Sequence, residues 1–99
     1  MIYEIANLEV LPSQAEQFEL AFEKASKVIS AVQGFISLEL QKGIEITSNY
    51  LLIVGWRAIE DHTVNFRSLP AHDEWKSLLS PFYISKPHVY HTTSIMRIE

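Results

Sequence analysis

Four histidines and a few aromatic and cationic side chains are the residues of this chain that could do chemistry. His62 precedes Phe66 by four residues, on the predicted apolar face of a helix. His91 lies on the predicted last strand and shares a face with Val89. An imidazole titrates near neutral pH, so either histidine could act as a general base. Each could equally be a hydrogen-bonded histidine at the edge of the core, and the sequence leaves both interpretations open.

Other kinds of chemical site have little support in the sequence. His72 and His88 fall at the predicted starts of a helix and a strand, where we expect surface or capping residues. No two histidines have the HxH or HExxH spacing, so we expect no metal site. The chain has no cysteine, which excludes disulfides and thiolate ligands. It also lacks the G-x-S-x-G, G-x-G-x-x-G and P-loop motifs, and we expect no resident cofactor.

Composition limits the class of protein. Ninety-nine residues form one small domain, and 47% apolar residues with a net charge of −4 are typical of a globular chain. Eight basic against twelve acidic residues, without a basic run, argue against binding to nucleic acid or to an anionic membrane. Residues 1–5 do not resemble a signal peptide, and the longest apolar run, Tyr50 to Trp56, is too short to span a bilayer. We therefore expect a cytoplasmic protein.

The order of predicted elements defines a fold. The first helix is the clearest, with a capping box formed by Ser13 and Glu16 and an ion pair between Glu23 and Lys27. Its apolar face recurs at the helical period and comprises Phe18, Phe22, Ala25, Ile29 and Val32. The predicted strands cover residues 1–11, 35–42, 50–57 and 87–99, and Pro70 divides the second helical region into residues 59–68 and 71–79. The order β-α-β-β-α-β predicts an α+β, ferredoxin-like fold with an antiparallel sheet.

Both faces of the predicted sheet carry apolar residues. Leu52 and Val54 point to one side of their strand, whereas Leu51 and Ile53 point to the other. Helices cover only one face of a sheet in this fold. We therefore expect the second face to bury against another copy of the chain, which predicts a homodimer.

An ordered set of residues resembles the antibiotic biosynthesis monooxygenase (ABM) family, whose members are small dimeric α+β barrels. The set comprises Tyr50-Leu-Leu-Ile-Val-Gly-Trp56, Glu60-Asp61-His62, Phe66-Arg67-Ser68, Trp75, Pro81-Phe82, Pro87 and Val89-Tyr90-His91. The resemblance covers nearly the whole chain. One departure is Ala58, where relatives often carry a serine or threonine that could cap the second helix. We expect the absence of this capping hydroxyl to cost about 1 kcal/mol of stability.

The resemblance implies a cofactor-independent monooxygenase that oxidises a small phenolic or quinol-type aromatic with O₂. A phenolate can pass an electron to O₂ itself once a base has removed its proton in a dry pocket. His62 or His91 would be the catalytic base. The implied substrate-binding residues are the aromatic walls Trp56, Phe66 and Trp75, with Asn7 or Arg67 holding an oxyanion.

Two alternatives follow from the same resemblance. Haem-degrading relatives use an asparagine on the first strand, a tryptophan on the second helix and a histidine about three turns later. Only Asn7 matches this pattern, so haem degradation is not expected. The other alternative is a non-catalytic, dimeric module that binds small molecules or regulates, because fold does not fix function. A sealed core around His62 would favour that module, whereas a cavity reaching His62 would favour the oxygenase.

Overall fold

The computed structural model describes all 99 residues and contains one antiparallel sheet with helices on one face. The elements are β1 (Ile2–Glu9), α1 (Ala15–Ile29), β2 (Phe35–Lys42), β3 (Asn49–Trp56), α2 (Pro70–Leu79) and β4 (Val89–Thr92). The strand order is β2-β3-β1-β4, and every neighbouring pair is antiparallel. This arrangement confirms the predicted α+β, ferredoxin-like fold. No helix is long and apolar enough to cross a membrane.

The core lies between the sheet and the two helices. The predicted apolar face of α1 is buried as expected, from Phe18 through Ile29, and Val32 is buried just beyond the helix. Alternate residues of the central strands complete the core, with Ala6 and Leu8 from β1 facing the helices. The 3.6-residue and two-residue periods of the sequence therefore identify the buried faces correctly.

The start of α1 differs from the prediction. Gln14 occupies the N-cap position, and no side chain caps the helix, so Ser13 and Glu16 do not form a capping box. A 3₁₀ turn over Pro12–Gln14 leads directly into the helix instead. The expected ion pair between Glu23 and Lys27 is also absent, since Glu19 is the acidic residue of α1 that pairs with a lysine.

The segment predicted as a helix over residues 59–68 is not α-helical. A π-helical turn, Asp61–Asn65, is followed by a 3₁₀ turn, Phe66–Ser68. Ile59, just before this turn, is 40% exposed. The buried Asp61 carboxylate accepts the backbone N–H of Ala58 at 3.1 Å and pairs with Arg57 at 3.2 Å. Asp61 thus makes the reaching-back contact of a capping box, which compensates in part for the missing hydroxyl at Ala58.

The first and last strands in the sequence, β1 and β4, are both shorter than predicted. β4 covers Val89–Thr92, and residues 93–99 form no regular structure. Three apolar side chains of this tail, Ile95, Met96 and Ile98, are more than 75% exposed. β1 ends at Glu9, and the exposed Leu11 lies outside the sheet.

No helix covers the second face of the sheet. On this face β1 and β3 carry half-buried apolar side chains, including Ile5 and Ile53, which are register partners. Ile5 is also the register partner of Tyr90 in β4, the strand on the other edge of β1. The two-sided apolar pattern of these strands is therefore present in the folded chain.

Candidate active site

A cavity of about 690 Å³ opens between the sheet, the segment over residues 61–68 and α2. Its volume is typical of sites that bind small molecules. Buried residues form its inner part, among them Glu4, His62, Phe66 and Trp75. Because the cavity reaches His62, this histidine does not lie in a sealed core.

Two strand residues and one residue of the π-helical turn form a connected polar group inside the fold. Glu4 of β1 and His91 of β4 are register partners, so their side chains lie on the same face of the sheet. His62 contacts both of them. Its Nε2 lies 3.3 Å from Glu4 Oε1, and its Nδ1 lies 2.8 Å from His91 Nε2.

Trp56 supports this group from the far side. Its indole Nε1–H donates to Glu4 Oε1 at 3.0 Å, and its ring stacks on the His62 imidazole with centroids 5.6 Å apart. Glu4 lines the cavity, and its second carboxylate oxygen, Oε2, has no hydrogen-bond partner in the chain and is not fully buried. The group therefore leaves one carboxylate oxygen of a cavity-lining residue without a partner in the chain.

Burial changes the charge states of this group. Desolvation, with smaller contributions from Arg67, His91 and His72, lowers the pKa of His62 to about 4, so its imidazole is neutral at physiological pH. Desolvation also raises the pKa of Glu4, against the opposing effects of the Trp56 hydrogen bond and Arg67. A carboxylate with a raised pKa is a stronger base than an ordinary one, which suits proton abstraction from a weakly acidic hydroxyl.

The contacts define two proton arrangements. With Glu4 ionised, His62 Nε2–H donates to Glu4 and His62 Nδ1 accepts from His91 Nε2–H. With Glu4 protonated, its hydroxyl donates to His62 Nε2 and the Nδ1–H donates to His91. A proton taken up by Glu4 can therefore be accommodated by tautomer changes of both His62 and His91.

The residues singled out in the sequence fall into three positions. Phe66, Trp75 and Arg67 line the cavity with His62. Trp56 and His91 do not line the cavity. Trp56 stacks on the His62 ring, and His91 contacts His62 Nδ1. Asn7 lies apart, exposed on the other face of the sheet, in a separate depression of about 200 Å³. The structure does not bring Asn7 to the cavity.

The remaining two histidines differ from each other. His72 is half-buried, lines the cavity and packs edge-on against Phe66 with centroids 5.1 Å apart, so it is not a plain surface residue. Burial lowers its pKa. His88 is exposed and stacks on Tyr90.

Two cavity residues were missed by the sequence reasoning. Glu4 shares its strand face with Ala6 and Leu8, and a carboxylate on the core face of a strand was a visible signal. Tyr83 lines the cavity, its hydroxyl makes no hydrogen bond in the chain, and burial raises its pKa. No comparable pattern marks Tyr83, because it lies in an irregular segment between the second helix and the last strand. No group of three or more histidine, aspartate or glutamate side chains is placed to hold a metal ion.

The fold and cavity define a ferredoxin-like domain with an open cavity between its sheet and its helices. Residues 1–78 match the profile of the antibiotic biosynthesis monooxygenase family, and the chain belongs to this family. The uncharacterized protein YczJ of Bacillus subtilis (strain 168) is 42% identical over 91 residues, which are 92% of this chain and 96% of that protein.

Solved structures resemble the whole chain. A candidate antibiotic biosynthesis monooxygenase from Bordetella bronchiseptica superposes with a TM-score of 0.91 at 28% identity, over 96% of this chain and 97% of that chain. A mutant of SnoaB, a cofactor-independent oxygenase from Streptomyces nogalater, superposes with a TM-score of 0.81 at 15% identity, over 98% and 95% of the two chains. At that identity the likeness to SnoaB concerns the fold alone.

Proposed function

We propose that this protein is a monooxygenase that oxidises a small phenol or quinol with O₂, and that Glu4 and His62 together act as its base. Family membership supports a role in binding or oxidising a small molecule. The observation that carries the proposal is the free Glu4 Oε2 at the inner end of an aromatic-lined cavity, with a neutral His62 beside it.

The reaction begins with removal of the substrate's hydroxyl proton by the Glu4–His62 pair. The phenolate passes one electron to O₂, and recombination of the two radicals forms a carbon–oxygen bond. The base returns its proton to the resulting peroxide. The hydroperoxide then loses the ring hydrogen as a proton and its outer oxygen as hydroxide, which together leave as water, and the ring becomes a quinone. One oxygen atom enters the product and the other leaves as water, and the substrate supplies all the electrons, so the base is the group that the chain must provide.

His91 and Trp56 act in this proposal as positioning residues. His91 holds His62 Nδ1, and Trp56 holds both the Glu4 carboxylate and the face of the imidazole. Phe66 and Trp75 form apolar walls, which keep the reacting hydroxyl away from bulk water. The hydroxyl of Tyr83 is free to donate a hydrogen bond to a substrate oxygen.

The dimer is also part of the proposal. The sheet face that carries Ile5, Ile53 and Tyr90 has no helix over it, and the tail from residue 93 exposes further apolar side chains. Burying such a face against its own copy follows a two-fold axis and hides apolar area from water.

Oxygen uptake with a panel of naphthols tests the function. Each naphthol is first shown to bind, by quenching of the tryptophan fluorescence of the protein without O₂. The proposal expects one O₂ consumed per naphthoquinone formed, with labelled oxygen appearing in both quinone and water. If naphthols bind and none is oxidised, the protein is a binding module rather than an oxygenase.

A further inference from the structure

The outer part of the cavity carries a cluster of cations. Arg67, Lys76 and Lys86 are exposed residues that line it, whereas Glu4, the only carboxylate among the lining residues, lies at its inner end. The chain as a whole carries a net charge of −4 with only eight lysines and arginines. A cationic cavity entrance therefore runs against the overall charge of the protein.

These three cations have no ion-pair partner in the chain. The lysines and arginines that do form ion pairs are Lys42, Arg57 and Arg97, all outside the cavity lining. Like charges grouped at one opening repel one another and create a positive potential that attracts an anion. An anionic group bound among these three cations would therefore be stabilised.

We propose that the substrate is an aromatic acid, with its phenolic hydroxyl at Glu4 and His62 and a carboxylate held among Arg67, Lys76 and Lys86. This inference rests on the proposed function for the hydroxyl end and goes beyond it for the other end. An arginine fork matches a planar carboxylate, and the two lysines add point charges. Repulsion from Glu4 disfavours the reverse orientation, so the same charges that bind the acid also direct its hydroxyl inward.

Binding without O₂ tests this inference separately from catalysis. The probes are a naphthol bearing a carboxylate on the ring that lacks the hydroxyl, and the methyl ester of the same compound. Wild-type protein is expected to bind the acid about tenfold more tightly than the ester at low ionic strength, the ratio that one charge-assisted contact supplies. Because the cations are exposed, the ratio should shrink as salt is added.

Matched variants locate the effect. Arg67→Gln and Lys76→Gln should each lower the acid-to-ester ratio severalfold, chiefly by weakening the binding of the acid. Lys24→Gln removes an exposed, unpaired lysine of α1 that does not line the cavity, and it should leave the ratio unchanged.

Equal affinities for acid and ester in the wild type would overturn the inference, as would a ratio that falls as much in Lys24→Gln as in Arg67→Gln. A different result would contradict the proposed function, namely that naphthols bind to the protein and none is oxidised. A charge preference without turnover would keep the aromatic acid as ligand and remove the oxygenase, whereas turnover of acid and ester with equal affinity would do the reverse.

Discussion

His62 Nδ1 lies 2.8 Å from His91 Nε2, and this contact joins the π-helical turn to the edge strand of the sheet. Glu4 is the register partner of His91 and contacts the other nitrogen of the same imidazole. His62 is thereby held at both nitrogens by residues that β1 and β4 bring side by side. A π-helical turn at this position is consistent with the frequent use of such turns at functional sites.

Replacing the histidines should separate base from support. His62→Asn is expected to lower kcat by about 10²–10⁴-fold for any naphthol that the wild type oxidises, which is the usual contribution of a general base. His91→Gln retains a side-chain amide that can reach His62 Nδ1 and should cost less than His91→Leu. The exposed His88→Gln serves as the control. Wild-type rates in both His62→Asn and His91→Leu would show that these histidines are structural.

Stability should depend on pH through Glu4 and His62 with opposite signs. The pKa of His62 is lowered from 6.5 to about 4, so between these values the unfolded chain binds more protons there, and falling pH destabilises the fold. The pKa of Glu4 is raised above 4.5, so the folded chain binds more protons there, and falling pH stabilises the fold. The two contributions oppose each other in the wild type.

Glu4→Gln removes one of these contributions. The free energy of unfolding of the variant should therefore fall more steeply than that of the wild type as pH is lowered from 6.5 towards 4. Urea unfolding at several pH values measures the slopes. Glu9→Gln, which removes the charge of an exposed glutamate on the same strand, should follow the wild type. A Glu4→Gln slope equal to or shallower than that of the wild type would contradict the charge assignment.

Gly34 is expected to be intolerant of a side chain. Its φ of +89° is the left-handed region that favours glycine, and an added Cβ would collide with the side chain of Asp61. Gly34→Ala should lower the free energy of unfolding by more than about 2 kcal/mol. A double-mutant cycle with Asp61→Ala measures the collision, and a coupling energy near zero would remove it as the cause.

The dimer is tested by sedimentation at micromolar concentration. The expected mass is close to twice 11.4 kDa. Ile53→Lys places a charge on the uncovered sheet face and should yield monomers, whereas a lysine at the exposed Ile44, in the β2–β3 loop, should not. A monomeric wild type would leave the apolar second face of the sheet without an explanation.

Local patterns predicted the parts of the fold that depend on neighbours in sequence. The helical period of Phe18, Phe22 and Ile29 identified α1 and its buried face. The π-helical turn was not predicted, because an apolar spacing of four residues, as between His62 and Phe66, does not distinguish a π-helical turn from an α-helix.

For the site, the sequence predicted several of the residues but not the contacts between them. His62 was identified from helical spacing, and Phe66 and Trp75 were identified as site residues from the resemblance to the family. All three line the cavity. The contact between Glu4, His62 and His91 follows from the register of β1 against β4, a pairing of residues far apart in sequence. Glu4 could have been predicted, because a carboxylate that shares a strand face with Ala6 and Leu8 is buried together with them.

Ionisation of a bound phenol tests the central claim most directly, because proton removal by Glu4 and His62 is the step that the chain itself supplies. A nitrophenol changes colour when it loses its proton, and its spectrum can be recorded on the protein without O₂. At a pH below the solution pKa of the nitrophenol, the wild type is predicted to bind it as the phenolate, whereas Glu4→Gln and His62→Asn are predicted to bind the neutral phenol. The spectrum of the neutral phenol on saturated wild-type protein would contradict the account.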